Sequence, residues 1–112
     1  MTTYVSDDDM RAGLATTKPY TAVILRAGPK FGTPEAEPLV WEHGRRNFGL
    51  RADGALSIVC PVLDDTDVCG IGVFDRDLDA TVAIMEEDPA VRAGVFTFTA
   101  HPTRGFPGDR LP

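Results

Sequence analysis

Two runs of β-forming residues in the middle of the chain, 55–62 and 67–74, flank the turn-forming Leu63-Asp64-Asp65-Thr66. This hairpin constrains the fold more than any other feature, because pairing fixes which side chains share a face. Folding about the midpoint of Asp64-Asp65 sets Cys60 opposite Cys69, Ile58 opposite Ile71 and Leu56 opposite Val73. That face is wholly apolar and is expected to pack on helices. The other face pairs Pro61 with Val68, Val59 with Gly70 and Ser57 with Gly72. It carries no charge, whereas a solvated hairpin face normally does, so it too is expected to be covered.

Around the hairpin, residues 20–26 (Tyr-Thr-Ala-Val-Ile-Leu-Arg) read as a first strand closed by Gly28-Pro29. A helix is predicted from Glu37-Pro38 to Asp53-Gly54, with Val40, Trp41, Gly44 and Phe48 on its apolar face and His43, Asn47 and Leu50 on the shoulder. Asp77 is the expected N-cap of a second helix whose buried stripe is Leu78, Val82 and Met85. Asp88 precedes a proline, which disfavours helical geometry and puts it at a helix end. Residues 95–101 alternate as a fourth strand. The order β-α-β-β-α-β defines an α+β, ferredoxin-like domain: a four-stranded antiparallel sheet with two helices on one face, over residues 20–102. Residues 1–19 form a leader in which Ser6 is positioned to cap a short helix, and 103–112 an irregular tail. The uncovered sheet face, lined by Ser57, Val59, Gly70 and Gly72, predicts a homodimer, sheet against sheet.

Composition narrows the partners. A chain of 112 residues has room for one core, and 11 basic against 17 acidic residues, a net charge of −6, disfavours nucleic acid and anionic membranes. No run has the length of a membrane span or a signal peptide, so a cytoplasmic location is expected. Cys60 and Cys69 lack the spacing of a metal or redox motif and read as reduced core residues. There is no GxSxG, P-loop or GxGxxG, so no cofactor is expected and the partner is a small molecule of unknown identity.

The polar residues near the core are few: Arg26, Lys30, His43, Asn47, Ser57, Asp88 and His101. A histidine beside an apolar helix face suits general acid or base use, and a carboxylate fixes the tautomer of an imidazole it bonds. His43 and Asp88 lie on elements that cover the same sheet face. Each alone is equally compatible with a structural role, His43 as a satisfied buried histidine and Asp88 as a turn former.

The run Ile24-Leu-Arg-Ala-Gly-Pro-Lys30, then Glu42-His43, then Asp53-Gly54-Ala-Leu56 and above all Glu87-Asp88-Pro89-Ala-Val-Arg-Ala-Gly94 resemble the YciI-like (YCII-related) proteins over residues 20–102. The resemblance implies a dimeric α+β barrel and a His-Asp active-site pair that would fall on His43 and Asp88. Members of that family are mostly of unassigned function; a related dechlorinating lyase and the similarly folded muconolactone isomerases suggest small cyclic or aromatic substrates. One departure is Cys60-Pro61, where the family usually has a glycine before the proline.

The expected function is a cofactor-independent lyase or isomerase acting on a small cyclic or aromatic, acidic or carbonyl-bearing molecule. His43 would move the proton, Asp88 would orient it, and Arg26 or Ser57 would hold a substrate oxygen. The alternatives are a non-catalytic small-ligand-binding or accessory protein and, last, a cofactor-free monooxygenase.

Overall fold

The computed structural model describes residues 1–112. The elements run α1 (Asp7–Leu14), β1 (Lys18–Ala27), α2 (Ala36–Ala52), β2 (Leu56–Pro61), β3 (Val68–Phe74), α3 (Leu78–Glu86), α4 (Pro89–Arg92) and β4 (Phe96–Gly105). The strands form one antiparallel sheet in the order β2-β3-β1-β4, the ferredoxin-like arrangement that the element order implied. The helices α2, α3 and α4 pack on one face. Val23, Leu25, Leu56 and Phe74 of the sheet, with Met85, Ala90 and Val95, form the core.

Local signals account for most boundaries. Ser6 caps α1 by accepting from Asp9 N–H, and Asp77 caps α3 by accepting from Ala80 N–H. The short helix α4 is absent from the sequence reading. Asp88 caps it, Pro89 opens it, and Gly94 closes it at φ +80° in the left-handed region that favours glycine. Val95 N–H donates to Ala90 carbonyl oxygen and Gly94 N–H to Val91 carbonyl oxygen, the paired bonds of a Schellman ending. The motif Asp88-Pro89 with Gly94 is therefore one self-contained turn of helix. Strand β4 continues through Pro102 to Gly105, where an irregular tail was expected from 103. Proline is tolerated there because β4 is an edge strand.

The hairpin departs from expectation in register and in sidedness. Cys60 lies opposite Ile71, Ile58 opposite Val73, Val59 opposite Gly72 and Pro61 opposite Gly70. Val62 N–H donates to Cys69 carbonyl oxygen, so the turn is centred one residue later than the Asp64-Asp65 midpoint. The register shifts between Leu56 and Ile58, which returns Leu56 to the core side. The helices cover the face carrying Val59, Gly70, Gly72 and Phe74, and the apolar face of Ile58, Cys60, Ile71 and Val73 is the one left open. Both cysteines are free, but Cys60 is exposed and not a core residue.

Helix α2 is also rotated from its expected setting. It buries Ala36 and His43, with Leu39 and Leu50 packed on the core, while Trp41 and Phe48 are 70% and 69% exposed. Apolar residues occur all round this helix, so apolarity alone does not select a face.

Gly28 sits against the end of α4: its N–H donates to Val95 carbonyl oxygen, and a Cβ there would lie 2.5 Å from Gly94 carbonyl oxygen. Gly49, on exposed α2 surface, would meet nothing. Gly28→Ala should cost about 1–3 kcal/mol, because backbone must move, whereas Gly49→Ala should gain about 0.5–1 kcal/mol of helix stability. Thermal melts of the two variants should move in opposite directions; a shared direction would refute this reading of the loop.

Candidate active site

Residues 39, 43, 46, 47 and 50 recur at helical spacing on the side of α2 facing α4 and the sheet, which brings His43, Arg46 and Asn47 together. His43 is buried, and its ring stacks obliquely on Phe96 at 4.9 Å between centroids. Its Nδ1 lies 2.7 Å from Asp88 Oδ2. The other carboxylate oxygen, Oδ1, accepts from the backbone N–H groups of Ala90 and Val91 at 2.9 and 3.3 Å. The capping function of Asp88 therefore also aims its free oxygen at the imidazole.

Asp88 is 1% exposed, and burial by itself pushes its carboxyl pKa upward. The hydrogen bond and charge of His43, with the two backbone N–H groups, more than offset burial and hold it below the ordinary 3.8. Asp88 is thus a carboxylate at neutral pH and can only accept. The proton in the pair belongs to Nδ1, which leaves the Nε2 lone pair of the neutral ring to face outward from Asp88. Asn47 Nδ2 lies 3.3 Å from Nε2 and donates to it. Arg46 adds positive charge: its Nη1 is 3.8 Å from Asp88 Oδ2, beyond hydrogen-bond reach, and this buried nitrogen makes no hydrogen bond.

His43 and Asn47 border a cavity of about 280 Å³ between α2 and the sheet. The remaining wall includes Val23, Leu25, Val59, Phe74, Met85 and Phe96, with no charged side chain. Gly70 and Gly72 form part of the wall; a Cβ on Gly72 would press on Leu56 at 3.3 Å, while one on Gly70 would meet Leu25 only at 3.9 Å. An apolar cavity of about 150 Å³ holds a benzene, so this one has room for a substituted six-membered ring.

Of the four site residues expected from the sequence, the structure joins His43 and Asp88 and leaves the other two apart. Arg26 alternates with the core residues of β1 onto the open sheet face, where it pairs with Asp67 at 3.3 Å. Ser57 is exposed at the irregularity in β2. Neither lines the cavity. His101 is exposed and bonds Thr99. Asn47 and Arg46 were given no role by the sequence reading; their signal was their position three and four residues after His43, one helical turn along the same face. No group of side chains in the structure has the makings of a metal site, and no helix is long and apolar enough to cross a membrane.

No protein-family model and no curated protein sequence matches the chain. Among solved structures it is similar to the 5-chloro-2-hydroxyhydroquinone dehydrochlorinase of Burkholderia phenoliruptrix AC1100, solved in complex with 2,5-dihydroxybenzoquinone. The match has a TM-score of 0.51 at 15% identity and covers 73% of this chain and 90% of that one. This likeness shows the fold: the chain has a ferredoxin-like α+β architecture, a four-stranded antiparallel sheet with its helices on one face.

Because the folded state holds Asp88 below 3.8, it favours the ionised form more than the unfolded chain does. The resulting stability is present above the unfolded pKa and is lost as pH falls through the folded one. Asp88→Asn, which keeps a capping side chain, should flatten the loss of stability as pH falls below the ordinary 3.8. Urea midpoints measured across that range test this; an unchanged slope would contradict it.

Proposed function

We propose that this chain is a cofactor-independent lyase or isomerase that uses His43 and Asp88 for acid–base chemistry on a small cyclic or aromatic molecule held in the cavity. One observation carries the reading: a buried imidazole, its tautomer fixed by a carboxylate 2.7 Å away, borders a ring-sized apolar cavity. The resemblance of Glu87-Asp88-Pro89 and Gly94 to YciI-like proteins supports it, as does the shared fold of a dehydrochlorinase solved with a quinone. The absence of any cation from the cavity wall narrows the substrate to a neutral, carbonyl- or hydroxyl-bearing ring rather than an acid.

In this mechanism the substrate displaces Asn47 from Nε2, and Nε2 takes a proton from a carbon next to a carbonyl. The freed electron pair passes into the ring system. It then either expels a leaving group, a lyase reaction, or is reprotonated by the imidazolium at another carbon, an isomerase reaction. Asp88 stabilises the imidazolium formed in between.

Turnover of a panel of substituted hydroquinones and cyclic enones is the direct test. His43→Gln should lower it by about 10²–10⁴-fold, and Asp88→Asn should also impair it, with the fold retained in both. Equal activity of both variants and wild type would sink the assignment. Gly70→Val, which sets a branched side chain beside Leu25 in the cavity wall, should weaken ligand-induced thermal stabilisation. A non-catalytic ligand binder is the second reading, favoured because both ring nitrogens of His43 are already hydrogen-bonded. It predicts thermal stabilisation by panel members with no turnover of any.

We also propose a homodimer through the open sheet face, where Ile24, Ile58, Ile71 and Val73 stand in place of the Ser57 and glycine face first expected. A dimeric barrel closes over such a face by stacking two sheets. Ile71→Lys should weaken self-association at least tenfold by sedimentation; an unchanged dissociation constant would exclude this face.

A further inference from the structure

Besides the open sheet face, two apolar surfaces of the chain have no partner. The first is on α1, which buries none of its residues while Met10 and Leu14, four apart on one face, are about half exposed beside Val5 and Tyr4. Strand β1 carries this helix outward: Lys18 to Tyr20 pair only with the end of β4, beyond the last β3 partner at Thr21. The molecule is drawn out accordingly, with a radius of gyration of 16.4 Å where about 13 Å is usual for this length. An isolated helix of eight residues is marginal in water, so α1 needs a surface to pack on.

The second surface is the outer side of α2. Phe31, Val40, Trp41 and Phe48 line an open trough, with Gly44 leaving a dip between Trp41 and Phe48. The stretch from Val40 to Phe48 is about 12 Å long at 1.5 Å per residue, the same as α1. Charge gives an orientation. On α2 the acids Glu37 and Glu42 come first and the exposed Arg45 and Arg51 later, whereas α1 begins with Asp7, Asp8 and Asp9 and has Arg11 further on. Laid antiparallel, α1 would set its aspartates beside Arg45 and Arg51 and Arg11 towards Glu42, with Met10 and Leu14 over the dip at Gly44. The helix dipoles then also oppose favourably.

We infer that α1 is an exchange arm that docks antiparallel on the outer α2 trough of a second copy of the chain. Reciprocal exchange satisfies both surfaces in each copy at once and is self-complementary under two-fold symmetry. The inference does not depend on the His43 chemistry: Trp41 and Phe48 lie off the cavity, although Val40 and Gly44 line both it and the trough.

Trp41 is the only tryptophan and reports occupancy of the trough. The full-length wild type should show emission at shorter wavelength than the Met10→Asp/Leu14→Asp double variant, in which the arm is disabled. The trans test co-expresses that double variant, which keeps Trp41, with a differently tagged Trp41→Phe chain, which keeps the arm. The hetero-complex purified through both tags should regain the short-wavelength emission. Failure to capture a hetero-complex overturns the inference, as does a captured complex whose emission stays at the long-wavelength position of the double variant. An arm folding back on its own chain gives that second result.

Discussion

A carboxylate as far from water as Asp88 is tolerable only with a full set of hydrogen bonds and opposing charge, and the supply of those partners organises this fold around it. Two come from the first turn of α4, one from His43 on α2, and Arg46 adds charge from the same helix. Satisfying Asp88 thus fixes α2 against α4 across 45 residues of sequence. The closing of α4 at Gly94 in turn supplies the carbonyl groups that hold the Gly28 loop, which leads back into α2.

This constraint explains what the sequence did and did not disclose. The four strands, the two main helices, the caps Ser6 and Asp77 and the position of Asp88 at a helix end are local, and local signals found them. The face of α2 is not local. With Leu39, Val40, Trp41, Phe48 and Leu50 distributed around the helix, periodicity favoured the Trp41 side, whereas the buried side is the one that can bond Asp88. His43 was legible from its place on the shoulder of the helix and from Glu42-His43, which stands where the family resemblance expects it. Asn47 and Arg46 gained meaning only once the helix was correctly rotated.

The hairpin fails for a related reason. Apart from Leu56 and Ser57, at the irregularity in β2, the side chains divide between its two faces as expected, but the more apolar face is the open one and not the one under the helices. The helices instead cover the side with Gly70 and Gly72, where the core residues Leu56 and Phe74 pack and a cavity remains beneath α2. Small residues that look like a weak strand allow, in three dimensions, close approach of neighbouring side chains such as Leu56 to the backbone. The apolar face of Ile58, Cys60, Ile71 and Val73 is the one displaced outward. Arg26 and Ser57, placed near the site when the strands were read without their pleat and irregularities, fall outside it.

The account rests on an imidazole whose Nδ1 carries the proton and whose Nε2 lone pair borders the cavity. Long-range ¹H–¹⁵N correlation spectra of labelled histidine, recorded with the ring neutral, read this directly. The account predicts the Nδ1–H tautomer for His43 in the wild type and its loss or mixing in Asp88→Asn. An Nε2–H tautomer for His43 in the wild type would contradict it.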